Sequence, residues 1–197
     1  MSPRKYTMTR RASAVAQTRQ RIIDATRALH TEQGVAVTSW DDIAERAGVG
    51  VGTVYRHFRT LDDLLPACGE ISMQVVAPPI PEQVPQLFEG IDEPAARIER
   101  LVREVFAMYE RGAPELRVIR SEPHVHPSIG ETGETIEASL TALVDEAVKP
   151  FGITSNDRAI VRAMVDFGTW EALRNQGLAP AAAVDAVCRM LAALRPF

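Results

Sequence analysis

A chain of 197 residues allows one large domain or two small ones, and 46% apolar with 24% charged residues is ordinary for a soluble globular protein. No apolar run reaches the length of a membrane span, and the basic N-terminus lacks the apolar core of a secretory signal, so a cytoplasmic protein with no membrane partner is expected. The formal net charge of −4 conceals an asymmetry: residues 1–60 carry ten Lys/Arg against five Asp/Glu, and the remainder twelve against twenty-one. A basic head on an acidic body suits a protein that turns one end toward phosphates. Cys68 and Cys188 lie far apart without metal-ligand spacing and are expected as reduced thiols.

Residues 1–17, with Arg4, Lys5, Arg10 and Arg11 and few large apolar groups, predict a basic disordered arm. A first helix is predicted from Thr18 to Gln33, burying Ile22, Ala25, Thr26 and Leu29 and stopping at Gly34. The segment Thr38–Phe58 then predicts two short helices around a glycine turn. Ser39 with Asp42 forms a capping-box pattern, and Gly48 sits where a helix-ending residue needs positive φ. Val51, Val54, Tyr55 and Phe58 share one face of the second helix, leaving Gly52, Thr53, Arg56 and His57 on the other. A short helix with such an open polar face, braced by a partner at a tight turn, is the geometry of a recognition helix in a major groove.

From roughly Thr18 to Leu65 the chain resembles the TetR family of bacterial transcriptional regulators. The matching residues are Gly34, Thr38-Ser39, Ile43-Ala44, Ala47-Gly48-Val49, Gly52-Thr53-Val54-Tyr55 and Phe58. Gly50, Val51 and Leu61 depart from the pattern, which usually has Ser, often Lys, and Lys there. The resemblance implies a DNA-binding domain over residues 18–65 with Thr38, Ser39, Val51, Gly52, Thr53, Tyr55, Arg56 and His57 as candidate contacts to a double-stranded operator.

Thr60 and Asp63 predict the start of a fourth helix reaching toward Val76, kinked near Pro66 and lightly tethered after Val76 by the prolines at 78, 79, 81 and 85. Helices are predicted over Glu93–Arg111 and Pro114–Glu122, then a loop from Pro123 to Gly133 and a helix from Glu134 to Lys149. Ser155 or Asn156 should cap a helix running to Asn175, and Pro180 should open the last, which runs to Leu194. The aromatic and flexible residues Phe106, Tyr109, Met164, Phe167 and Trp170 read as core or as the wall of an effector pocket, with Arg120 and His124 as its polar groups.

Gly48, Gly50 and Gly52 lack the strand and the lysine of a phosphate loop. His124 and His126 have no Cys or third His nearby, and although Glu122 or Glu131 could complete a metal site, acidic residues are everywhere in this half; nothing fixes a base near a nucleophile. No catalytic residue, metal or cofactor is therefore assigned. The expected fold is all-α, an N-terminal three-helix helix-turn-helix DNA-binding domain followed by a C-terminal antiparallel helical bundle over 66–197 for effector binding and dimerisation. The expected function is a homodimeric repressor, paired through its last two helices with Val184 and Met190 facing the partner, and released from a palindromic operator by a small apolar effector. The alternative is a helical enzyme or metal-dependent protein using the C-terminal body.

Overall fold

The computed structural model describes the backbone of residues 3–193 and the side chains of residues 11–193. The helices are α1 Pro3–Gln33, α2 Trp40–Ala47, α3 Val51–His57, α4 Leu61–Val76, α5 Val84–Leu87, α6 Pro94–Ser121, α7 Pro127–Val148, α8 Ser155–Met164, α9 Phe167–Asn175 and α10 Pro180–Ala192, with 3-10 turns at Pro81–Gln83 and Lys149–Phe151. No strand occurs among the described residues. The all-α expectation therefore holds.

The chain forms two compact units. The first comprises Met1–Gln74 and Pro114–Gly133, so it joins the helix-turn-helix segment to most of α4 and to the α6–α7 corner. Its core is Ile22, Ile23 and Leu29 of α1, Ile43 and Ala47 of α2, Val54 of α3, Phe58, and Leu64 and Cys68 of α4. The second unit comprises Val75–Ala113 and Glu134–Phe197, and its buried centre includes Leu101, Val105, Met108, Leu143, Val144, Val161 and Val187. Inside it the buried guanidinium of Arg97 donates to the carbonyls of Phe88 (3.2 Å), Ile91 (2.9 Å) and Ala147 (3.1 Å), stapling the α5 segment to the end of α7. The Phe88 carbonyl also accepts from the Ile91 amide (3.1 Å).

Several elements differ from the sequence expectation. Helix α1 begins at Pro3 and so takes in most of the expected arm, while residues 1 and 2 lie outside the described residues. Ala12, Ala14, Ala16 and Gln17 favour helix, and a helix already nucleated by its buried stripe extends backward at little cost. Helix α4 passes through Pro66 as one helix, and the non-helical residue falls instead at Gly112 of α6 (φ −121, ψ 22).

Helix α7 starts at Pro127 rather than Glu134, and Gly130 and Gly133 lie inside it without breaking it. A Cβ on Gly133 would stand 3.2 Å from the Ile119 side chain, and one on Gly130 3.4 Å from the Pro123 carbonyl. The single helix expected to end at Asn175 is two, α8 capped by Thr154 and α9 capped by Asp166. The last helix ends at Ala192, and Leu194 lies outside the described residues.

The end of α4 is held firmly, contrary to the light tether expected. Within the second unit Arg111 Nη2 donates to the carbonyls of Val76 (3.1 Å) and Ala77 (3.2 Å). Gly112 meets Val76 so closely that a Cβ would lie 2.5 Å from its Cγ2 and 3.1 Å from its Cα. Ala77 adopts φ 45, a left-handed conformation disfavoured for a residue with a Cβ, and the two Arg111 bonds hold it there.

Candidate nucleic-acid interface

Helix α2 starts on a complete capping box. Ser39 Oγ accepts from the Asp42 amide (3.1 Å), and the Asp42 carboxylate accepts from the Ser39 amide (3.0 Å) and hydroxyl (2.7 Å). The Ser39 hydrogen bonds hold the Asp42 carboxyl below the usual aspartate range. Gly48 ends the helix at φ 64, ψ 42, and its amide and that of Val49 satisfy the last carbonyls of α2. Helix α3 therefore follows after three residues, and its orientation is fixed by local chemistry.

Val54 and Phe58 are buried beneath α3, but Val51 and Tyr55 are 38% and 45% exposed, so the apolar face is half as wide as the spacing predicts. Tyr55 packs instead on Trp40 of α2, ring centroids 5.1 Å apart. The outward face thus presents Val51, Gly52, Tyr55 and Arg56, with Thr53 and His57 half-buried beside them. Arg56 Nη2 donates to Thr53 Oγ1 (2.8 Å), which orients the guanidinium along the helix. A Cβ at Gly52 would meet nothing within 4 Å, so packing within the chain does not demand a glycine there.

Thr38 is half-buried, its hydroxyl donating to the Gly34 carbonyl (2.7 Å), and Ser39 is exposed apart from its capping role. All eight candidate contacts are thereby brought into one stretch, α2–turn–α3 with its leading loop. One structural residue was missed from the sequence. Glu122, at the end of α6, accepts from the amides of Val35 (3.0 Å) and Ala36 (2.9 Å) and fixes the α1–α2 loop. The only sequence signal was Gly34, which adopts a left-handed φ of +95 and where a Cβ would stand 2.5 Å from the Glu122 carboxylate.

The candidate effector residues fall in both units. Phe106, Tyr109, Phe167 and Trp170 are buried and pack on one another in the second unit, with Tyr109 edge-on to Phe167 at 5.2 Å. Met164 is half-buried in that unit, whereas Arg120 and His124 are exposed in the first. The polar handles of the cluster are engaged: Tyr109 donates to the Val165 carbonyl (3.0 Å) and Trp170 Nε1 to Glu110 (3.0 Å). His126 bridges Asp62 (2.8 Å) and Ser128 (2.9 Å) through its two ring nitrogens. Among the described residues no group of three or more His, Cys, Asp and Glu is placed to hold a metal ion.

Residues 22–68 match the family model for bacterial regulatory proteins, tetR family. The chain is 42% identical over 66 residues to the HTH-type transcriptional regulator AcrR of Shigella flexneri, covering 33% of this chain and 31% of that protein. It is 32% identical over 93 residues to the HTH-type transcriptional regulator HbdR of Aromatoleum sp. (strain CIB), covering 47% of this chain and 38% of that protein. The matches thus span about a third of the length of these curated relatives. Among solved structures, native NalD, the secondary repressor of the MexAB-OprM multidrug efflux pump in Pseudomonas aeruginosa, is similar at TM-score 0.66 and 20% identity, over 93% of this chain and 99% of that one. The multidrug binding protein EbrR complexed with imidazole is similar at TM-score 0.54 and 23% identity, over 92% and 91%. At these identities the likeness is one of fold.

Proposed function

The chain belongs to the TetR family of bacterial transcriptional regulators, and from that premise we propose that it is a homodimeric repressor released from a palindromic operator by a small apolar effector. Regulators of this family are DNA-binding transcription factors and not enzymes. The observation that carries the reading is the outward face of α3, where Gly52, Thr53 and Arg56 offer close approach, a hydroxyl and an oriented guanidinium. The eight residues named above make the DNA contacts, and the protein acts in the cytoplasm, where bacterial DNA lies. No helix among the described residues is long and apolar enough to cross a membrane.

Two heads related by a two-fold axis would place two copies of α3 in successive major grooves. Exposed apolar groups on the late helices, Ile160 at 41% and Met190 at 45%, support pairing there. Val184 does not face a partner, since it is 7% exposed within its own unit, so the outward candidate is Met190. The effector part rests on the likeness of fold to a protein described as multidrug binding. An effector releases DNA only to the extent that it prefers the conformation that does not fit the operator.

Salt titration of binding to duplex DNA from the gene's own upstream region tests the reading. Sequence preference with a steep log–log salt slope is expected; equal affinity for unrelated duplexes would refute it. Met190→Lys should shift the sedimenting species toward monomer, because an unpaired charge would be buried at the contact. Wild-type protein sedimenting as a monomer at micromolar concentration would end the dimer proposal.

A further inference from the structure

The first unit contains a cavity walled by α1, α4, the last turns of α6 and the first turns of α7. Its volume is about 50 Å³, counted as room for the centres of water-sized molecules. One water needs roughly 10–15 Å³ by that measure, so the cavity takes about four waters or one compact organic molecule.

The walls define the chemistry of an occupant. Leu65, Ile119 and Ile129 supply an aliphatic side. Arg27, Glu115 and Ser72 supply a polar side. The two charges there already answer each other, Arg27 Nη2 lying 2.5 Å from Glu115 Oε1. Burial lowers the pKa of His30 to about 4 and pushes the Cys68 thiol up to about 12, so both line the cavity uncharged at neutral pH. An ion entering would lose its hydration without finding an uncommitted counter-charge. One donor, however, is unanswered. The Nε–H of Arg27 is shielded from solvent and has no hydrogen-bond acceptor in the protein, and a buried donor in that condition favours any oxygen brought to it.

We propose that this cavity is a small-molecule site of the DNA-binding unit, taking a compact uncharged molecule with a short aliphatic body and one carbonyl-type oxygen that accepts from Arg27. A short ketone, aldehyde or ester fits that description. Such a ligand would bridge α1 and α4, the two helices that flank the helix-turn-helix segment in sequence. The site is separate from the aromatic cluster of the second unit, and its occupancy is independent of repression or operator symmetry.

The test uses the full chain and 2-butanone as the probe, with butyrate as a charged molecule of similar length. In NMR titrations 2-butanone should give saturable shifts at the Arg27 Nε–H and at the methyl groups of Leu65, Ile119 and Ile129. Butyrate should bind at least about tenfold more weakly, since it must leave its charge unpaired. Ser72→Leu and Thr132→Ile each add bulk to the lining and should each weaken 2-butanone by at least about tenfold while the spectrum stays folded. Having two variants on different helices keeps the test intact if one misfolds. Shifts that map outside the cavity, equal binding of butyrate, or unchanged affinity in a folded filled variant would overturn the proposal.

Discussion

Tyr55 and Tyr109 lie on helices of similar apolar spacing and have opposite fates. Tyr55 is 45% exposed and leans on a single ring, Trp40. Tyr109 is 1% exposed, has Phe106, Phe167 and Trp170 around it, and spends its hydroxyl on the Val165 carbonyl. The first arrangement leaves a side chain available to something outside the molecule. The second leaves a hydroxyl and a ring with nothing further to do. An aromatic cluster is therefore informative about function only once its polar tips have been accounted for.

The largest effect expected from this contrast is at Trp170. It is 3% exposed and within 5.1 Å of the Phe167 ring, so Trp170→Ala should cost about 3–5 kcal/mol of stability, read by thermal or urea unfolding. Operator affinity of the surviving folded protein should change by less than about tenfold, roughly 1.4 kcal/mol. A variant with unchanged melting and a lost effector response would break the contrast by making the cluster a pocket wall.

The next effect is a pH dependence. His30 is 8% exposed and its pKa is lowered from 6.5 to about 4 by burial, partly offset by the Glu122 carboxylate. Between those values the unfolded chain takes up a proton that the folded chain refuses. Stability therefore falls as pH drops from 6.5 to about 4, by at most about 3 kcal/mol. His30→Gln should flatten that part of the curve relative to wild type. An equal loss of unfolding free energy between pH 7 and pH 4.5 in wild type and variant, from urea titrations, would show that His30 does not carry it.

What could be read from the sequence divides along the same line. The α2–turn–α3 geometry was legible because caps, a left-handed glycine and three- and four-residue spacings are local, and the structure realises Ser39, Asp42 and Gly48 in those roles. The breadth of the α3 apolar face was not, because Trp40 draws Tyr55 aside through space. Gly130 and Gly133 read as breakers, yet both lie inside α7, and Gly133 serves an approach to Ile119 that only the folded corner creates. Asp166 cuts one periodic segment into α8 and α9 by capping the Gly168 amide (2.8 Å), a choice that spacing alone could not register. The effector residues were grouped by composition, and composition carries no information about which compact unit a side chain joins.

Arg56 sharpens the exposed side of the comparison. It sits on the open face of α3 with its guanidinium oriented by Thr53, so Arg56→Ala should leave stability within about 0.5 kcal/mol. Operator binding should weaken by about 1–3 kcal/mol if the side chain reads a guanine edge. A loss of equal size on every duplex would make it a phosphate contact, and no loss on the operator would remove it from the interface.

The smallest effect separates two roles held by one hydroxyl. Ser39 is exposed beside α3, where a phosphate can reach it, and it is also the N-cap of α2, accepting from the Asp42 amide at 3.1 Å. Replacement by alanine would confuse the roles, because losing the cap costs about 1 kcal/mol and loosens the helix that braces α3. Glycine is the better substitution. It suits the extended N-cap conformation (φ −94, ψ 161) and is a good cap without a side chain, so Ser39→Gly should cost only a few tenths of a kcal/mol of stability. The Asp42 carboxylate still accepts from the residue-39 amide, which holds the turn in place. Under those conditions a clear weakening of operator binding, with the melting temperature nearly unchanged, reports a direct contact from the hydroxyl. Binding that falls only in step with stability assigns Ser39 to capping alone.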